Sequence, residues 1–153
     1  MKSYAELVQE LKRVLKKKKL KYTKQREIIL KILHDNSGHF SPEEILQLIK
    51  QKEPNENIGI ATVYRTLSLF EEEGLAESIS FGKDGKKYEI GHKKHHDHLV
   101  CIECGEITEF VDEIIENRQI EVAKKYNFKM IDHTMKIIGI CPKCQEKLKK
   151  QEL

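Results

Sequence analysis

The chain has 153 residues, with 28 Lys and Arg against 25 Asp and Glu. With 39% hydrophobic and 35% charged residues, it can fold into one or two globular domains and is neither fibrous nor disordered. No apolar run approaches the roughly 20 residues that cross a bilayer, and residues 1–13 show no secretory signal. We therefore expect a cytoplasmic protein without a membrane partner.

The first 21 residues are strongly basic and amphipathic. Eight Lys and Arg stand against two Glu there, a local charge of +6, and apolar residues recur at steps of three and four. This pattern predicts a helix with one apolar stripe. Four consecutive lysines at residues 16–19 either contact phosphate groups or simply solvate the end of that helix.

Three further helices follow. Thr23 is a cap for the second helix, and Ser41 with Glu44 forms a capping box for the third. The fourth helix spans residues 60–73 and stops at Gly74. The third and fourth helices, with the turn between them, make a helix-turn-helix.

Two short β-type segments come next, at residues 76–81 and 87–90. They are separated by GKDG at residues 82–85, which is typical of a hairpin turn. A hairpin after a helix-turn-helix is the layout of a winged helix.

The composition changes after residue 90, where His, Cys and acidic residues replace the helical stripes. The second half predicts an α+β domain. Its expected elements are strands at 99–101 and 106–111, a helix at 114–126 and a strand at 128–138. We therefore expect an α+β protein with two domains, 1–90 and 91–153.

Four cysteines form two CxxC pairs, Cys101 with Cys104 and Cys141 with Cys144, with 36 residues between the pairs. In a cytoplasmic chain such thiols are more often metal ligands than disulfides. Four thiolates complete the tetrahedral set that zinc prefers and leave no position open for catalysis. We therefore predict a structural zinc site, with two separate redox pairs as the alternative.

A second group of possible metal ligands surrounds the HHDH run at residues 95–98. If this run is extended, its second and fourth residues point to one face and its first and third to the other. Glu89 and Glu109 add carboxylates, so the run predicts two sites for exchangeable metals such as Fe²⁺, Mn²⁺ or Zn²⁺. A solvated surface cluster is the alternative, and His34 and His92 are interpreted as surface residues.

The fourth helix is the candidate reader of DNA, because the second helix of a helix-turn-helix lies in the major groove. Thr62 and Arg65 share a face, Arg65 can hydrogen-bond a guanine edge or a phosphate, and Tyr64 can pack on a thymine methyl. A helix packed inside a metalloenzyme is the alternative. Since the metalloprotease, hydrolase, deaminase and phosphate-loop motifs are missing, we expect no enzyme, no catalytic residue and no small organic substrate.

Four motifs together resemble the ferric uptake regulator family: KYTKQR at 21–26, ATVYRTL at 61–67, HHDH at 95–98 and the paired CxxC. The likeness runs through nearly the whole chain in the same order. It implies a winged helix-turn-helix domain, then an α+β dimerisation domain with a four-cysteine zinc site. The implied protein is a homodimer, or a higher oligomer, that binds palindromic double-stranded DNA operators when metal is bound. Its implied function is iron-responsive repression of iron-uptake and metal-homeostasis genes.

The resemblance also implies roles for individual residues. The implied regulatory site, for Fe²⁺ with Mn²⁺ or Zn²⁺ as substitutes, comprises His39, Glu89, His96, His98 and Glu109. The implied accessory metal site comprises His95, Asp97, Glu116 and His133. The implied DNA-binding residues are Lys21, Arg26, Ala61, Thr62, Tyr64 and Arg65.

Among these, Lys21 corresponds to a residue that enters the minor groove, and Tyr64 and Arg65 to residues that contact the major groove. Relatives that sense zinc, manganese or peroxide share this architecture. Glu89 and Glu109 favour the iron regulator over the peroxide sensor, which usually has Asp at these positions. From another class, a zinc hydrolase that uses the HHDH cluster is the alternative.

Overall fold

The computed structural model of the chain describes residues 2–80, 85–91 and 94–151 and divides into two compact units, Met1–Lys94 and His95–Leu153. The first unit is built from helices around an apolar core, and the second from a small sheet with few buried side chains. Within the described ranges, no helix is both long and apolar enough to cross a membrane.

Four helices make up most of the first unit: α1 Tyr4–Lys17, α2 Lys24–Asp35, α3 Pro42–Lys52 and α4 Ile60–Glu72. Capping boxes at Ser3 and Ser41 begin α1 and α3, and the predicted Thr23 cap begins α2. α4 begins at Gly59 and has no side-chain cap. The local signals in the sequence therefore define where most of these helices start.

An apolar core holds the four helices together. Its side chains recur along each helix at steps of three and four, which is the stripe that the sequence predicts. Burying each of them contributes about 1.5–3 kcal/mol. Those with at most 1% exposure include Leu7, Leu11, Leu15, Ile29, Leu33, Ile45, Ile49, Val63, Leu67 and Phe70.

A two-stranded wing completes the first unit. Its strands, β1 Ala76–Ser80 and β2 Lys86–Ile90, pair antiparallel. Tyr88 also exchanges two backbone hydrogen bonds with Phe40, with N–O distances of 2.9 and 2.7 Å. The predicted winged helix is thus present, although Phe81 and most of the predicted turn, at residues 81–84, lie outside the described residues.

The second unit contains three strands and two helices: β3 Asp97–Cys101, β4 Ile107–Phe110, α5 Glu113–Lys125, β5 Lys136–Gly139 and α6 Pro142–Gln151. β3 lies in the centre of the sheet, antiparallel to β4 and parallel to β5. α5 has no buried residue. Among the residues described in this unit, the buried side chains are Asp97, Val100, Cys101 and Cys144.

One predicted strand is wrong over most of its length. We expected residues 128–138 to be extended, whereas only residues 136–139 pair with β3. The pairing with β3 covers four positions of β5, and just before it the Met135 carbonyl accepts from the His98 N–H at 3.2 Å. Residues 128–134 lie outside this strand pairing. Their apolar side chains, such as Phe128 and Ile131, are largely exposed.

Two further boundaries differ from expectation. β3 begins at Asp97 instead of residue 99, so His95 and His96 precede the strand and are not part of it. The carboxy-terminal segment, to which the sequence analysis assigns no element, forms α6. Pro142 suits its first helical position, because proline lacks the N–H that a first turn leaves unbonded.

Gly91 approaches another backbone segment closely. Its N–H donates to the Leu75 carbonyl at 2.9 Å, and a Cβ at this position would lie 2.3 Å from the Gly74 carbonyl oxygen. We predict that Gly91→Ala destabilises the first unit by about 2–3 kcal/mol, because one backbone segment must shift. Denaturant unfolding followed by circular dichroism measures this change.

Gly59→Ser is the matched control. A Cβ there meets no atom within 4 Å, the φ is −90°, and serine can cap α4. We expect unchanged or slightly higher stability, and equal destabilisation by both substitutions would contradict the steric argument.

Candidate metal centres and DNA-reading surface

Four cysteine sulfurs converge in the second unit. Cys101 ends β3 and Cys104 lies in the turn that follows, while Cys141 precedes α6 and Cys144 lies in its first turn. The four Sγ atoms are within 4.8 Å of one another, and those of Cys104 and Cys141 are 3.7 Å apart. A tetrahedral zinc with Zn–S bonds of about 2.3 Å needs sulfurs about 3.8 Å apart, so this donor set fits zinc.

Backbone pairing brings the two CxxC segments together. Cys101 lies opposite Gly139 in the β3–β5 register, and the Ile102 N–H donates to the Gly139 carbonyl at 2.9 Å. The Cys141 N–H donates to the Cys101 sulfur at 3.3 Å. Gly105 has a φ of 75°, which favours glycine, and its N–H donates to the Cys101 carbonyl at 2.9 Å.

The electrostatics of these four free thiols also fit a cation. Hydrogen bonds from the backbone N–H groups of Cys141 and then Cys104 hold the pKa of Cys101 down at about 6. The hydrogen bond with the Cys141 side chain is the largest cause that raises the pKa of Cys144 to about 12. One thiolate is therefore favoured and another opposed by its neighbours, whereas a dication in the cluster would stabilise all four.

The first unit contains a buried histidine and glutamate, side chains of the types that bind metals. The backbone bonds between Phe40 and Tyr88 bring the neighbouring residues, His39 and Glu89, side by side. His39 Nε2 lies 3.2 Å from Glu89 Oε2, and the two side chains are only 4% and 2% exposed. A carboxylate this deeply buried requires a cationic or hydrogen-bonding partner.

The second unit brings three of the predicted regulatory ligands together. His98 lies opposite Glu109 in the antiparallel register of β3 and β4. His96 Nε2 is 3.4 Å from Glu109 Oε1, and the rings of His96 and His98 are 4.7 Å apart. Two imidazoles and a carboxylate form a donor set that suits Fe²⁺, Mn²⁺ or Zn²⁺.

The accessory set lies wholly in the second unit. His95 Nε2 is 3.3 Å from Asp97 Oδ1 and 3.2 Å from Glu116 Oε1, and His133 Nε2 is 2.8 Å from Glu116 Oε2. Asp97 is fully buried, and neither of its carboxylate oxygens makes a hydrogen bond within the part of the chain that the structure describes. Such a carboxylate, facing two imidazoles, fits a bound cation.

The amino-terminal half of α4 presents an exposed polar face. Ala61, Tyr64 and Arg65 are exposed and Thr62 is half-buried, whereas the apolar stripe of α4 enters the core. The Arg65 guanidinium lies 3.5 Å from the Thr62 hydroxyl. The predicted reading residues therefore share one accessible surface.

A cavity of about 260 Å³ lies beside this face. Its lining residues are Leu20, Thr23, Gln25, Arg26, Thr62, Arg65, Thr66 and Leu69. The Arg26 guanidinium donates to the Lys21 carbonyl, which ties the exposed Lys21 to the same region.

Two further residues at this face have no signal in the sequence. Gln25 lines the cavity, and Glu43 accepts a hydrogen bond from the Tyr64 hydroxyl at 2.6 Å. A glutamine carries no pattern of its own. Glu43 and Tyr64 are 21 residues apart, so only the packing of α3 against α4 shows that they meet.

Comparison with known proteins agrees with this architecture. Residues 17–138 match the ferric uptake regulator family. The ferric uptake regulation protein of Campylobacter jejuni is 47% identical over 150 residues, which cover 98% of this chain and 96% of that one. The chain belongs to the ferric uptake regulator family.

Solved structures of family members extend the comparison to the fold. The Helicobacter pylori ferric uptake regulator, which has three functional metal-binding sites, aligns with a TM-score of 0.86 at 43% identity, over 94% of this chain and 95% of that one. The Francisella tularensis regulator with iron aligns with a TM-score of 0.74 at 33% identity, over 82% and 95%. Membership of this family confirms the predicted fold class and confirms that the chain is not an enzyme, so the hydrolase alternative is not favoured.

The four cysteines Cys101, Cys104, Cys141 and Cys144 form a tetrathiolate cluster whose loss should have a measurable effect. We expect Cys101→Ser or Cys144→Ser to lose zinc and to unfold the second unit or prevent dimerisation, because structural zinc contributes about 10–16 kcal/mol to folding. Metal analysis and sedimentation measure the two effects. Glu103→Gln, at an exposed position between the two cysteines of the first pair, is the control and should retain both zinc and the dimer. A stable zinc-free dimer of either cysteine variant would refute the structural assignment.

Proposed function

We propose that the chain is an iron-responsive, metal-activated repressor that binds palindromic operators as a homodimer and controls iron-uptake and metal-homeostasis genes. One observation supports the metal response: residues 95–101 include candidate ligands of all three donor clusters. His95 and Asp97 belong to the accessory set, His96 and His98 to the regulatory set, and Cys101 to the zinc set. Metal bound to any of the three therefore acts on one short segment.

The proposed division of labour follows the two halves of the chain. Residues 1–90 read DNA through α4, and residues 91–153 dimerise and bind metal. A regulator that must reach operators in the chromosome works in the cytoplasm.

The proposed regulatory site combines ligands from both halves. His39 and Glu89 offer two donor side chains, while His96, His98 and Glu109 offer three, and together they make a set that can hold Fe²⁺, or Mn²⁺ or Zn²⁺ in its place. A bound divalent ion supplies coordination free energy that favours the arrangement in which all five side chains engage. In the proposed mechanism, those side chains then hold the two reading helices of a dimer at the spacing of a palindrome.

Exposed apolar side chains in the second unit support the proposed dimer. When large apolar side chains are exposed together, they are typical of a protein interface. The residues that are more than half exposed are Ile102, Val111, Ile114, Tyr126, Phe128, Ile131 and Ile138. A second copy is the partner proposed for this surface, and sedimentation distinguishes a dimer from a tetramer.

The function is tested by fluorescence anisotropy with promoter DNA from iron-uptake genes. We expect binding to strengthen on addition of Mn²⁺, or of Fe²⁺ under anaerobic conditions, and to favour promoter DNA over a scrambled duplex. Binding that ignores both the metal and the DNA sequence would exclude the proposed function. A response to Zn²⁺ alone would instead indicate a zinc sensor of the same architecture.

The two faces of the HHDH run should differ in their effect on DNA binding. We predict that His96→Ala combined with His98→Ala abolishes metal-stimulated DNA binding, because only their set is proposed to link both halves. The double variant should keep its fold and should keep zinc in the tetrathiolate cluster. His95→Ala should have a smaller effect, since its partners lie within the second unit. A metal titration for each variant decides this, and greater damage from His95→Ala would reverse the assignment of the two sites.

Phosphate contacts should make DNA affinity depend steeply on salt, because each contact releases counterions. We predict that Lys21→Ala lowers the slope of log affinity against log salt concentration by roughly one unit. Lys150→Ala, which removes an equal charge from α6, should leave that slope unchanged. If Lys21→Ala also leaves it unchanged, Lys21 does not contact the DNA backbone.

A further inference from the structure

An exposed aromatic side chain on the reading face of α4 is already bonded within the first unit. The Tyr64 hydroxyl donates to Glu43 Oε1 at 2.6 Å, while 46% of the residue remains accessible. Glu43 lies in the first turn of α3, so this contact joins the two helices of the helix-turn-helix.

Glu43 is not needed to start its own helix. The capping box of α3 uses the next residue, Glu44, whose carboxylate accepts from the Ser41 N–H at 3.2 Å. Buried Pro42 fixes the first turn, and Ile45 packs into the core that α4 shares. The position of Glu43 is thus set by rigid packing, and its carboxylate is available for a separate role.

The hydrogen bond to Glu43 limits which groups of DNA the Tyr64 side chain can contact. A tyrosine hydroxyl has one hydrogen to donate, and here a carboxylate holds it. A phosphate oxygen must displace that carboxylate to accept the same hydrogen, whereas a thymine methyl can contact the ring while the bond stays intact. The same hydrogen bond lowers the pKa of Glu43 and raises that of Tyr64, which keeps the acceptor charged and the donor protonated.

We infer that Glu43 is a positioning residue for operator recognition, which holds the Tyr64 hydroxyl so that the ring faces bases. The inference rests on the proposed function. Phosphate contacts supply affinity without sequence information, so the charge of Glu43 weakens binding to every duplex alike. The bond to the Tyr64 hydroxyl affects the contact with bases, and therefore the preference for one sequence.

The experiment measures affinity for two duplexes with the full chain loaded with Mn²⁺. One duplex is selected from a random library by the unmodified protein, and the other is a scrambled sequence of the same composition. Glu43→Ala should reduce the affinity ratio of selected to scrambled duplex about five-fold, the value of one hydrogen bond. Glu43→Gln keeps an acceptor but removes the charge, so it should bind both duplexes more tightly with a nearly unchanged ratio.

Two controls separate positioning from general effects. In a Tyr64→Phe background, Glu43→Ala should leave the ratio unchanged, because no hydroxyl remains to be held. Glu44→Gln removes the same charge one residue away and should also leave the ratio unchanged.

Three results would overturn the inference. Glu43→Ala could leave the affinity ratio of selected to scrambled duplex unchanged, or Glu43→Gln could lower that ratio as much as Glu43→Ala does. Glu43→Ala could also lower the ratio equally with and without the Tyr64 hydroxyl. Failure of the proposed function has a different signature. In that case the unmodified protein itself selects no sequence and shows no preference between the duplexes.

Discussion

The second unit depends on the convergence of four thiols at one end of its sheet. Few other side chains are buried there, and α5 buries none, so apolar burial cannot account for its stability. Backbone N–H groups lower the pKa of Cys101, whereas the hydrogen bond with the Cys141 side chain, burial and the other thiols raise the pKa of Cys144. A bound cation stabilises all four as thiolates and ties both CxxC segments together, which is why we assign zinc a structural role.

The first unit is stabilised in a different way. Its helices share a continuous apolar core and begin at local caps, and it needs no metal to explain its packing. In the proposed function this rigidity has a use, since it fixes exposed side chains such as Tyr64 and Arg65 on α4, while the candidate donors of residues 95–101 are the part proposed to respond to metal. A stable reading unit and a metal-dependent assembly unit are the parts that a metal-activated regulator requires.

Predictability from the sequence depended on how local each interaction is. Thr23, the Ser41 capping box and the apolar stripes act within a few residues, so the helices of the first unit were predicted well. The strand expected at 128–138 was wrong because strand length depends on the partner, and β3 offers partners to four residues only. The paired CxxC spacing signalled the zinc cluster, whereas no local pattern could show that Glu43 meets Tyr64 or that Gln25 lines the cavity.

The central claim is that zinc, and not apolar burial, organises the second unit. Hydrogen exchange of the unmodified protein, followed by mass spectrometry before and after zinc removal with a strong chelator, tests it most directly. We expect removal to abolish protection in β3, β5 and α6, to leave protection in α1–α4 unchanged, and readdition of zinc to restore the loss. Protection of residues 97–151 that persists without zinc would contradict the account.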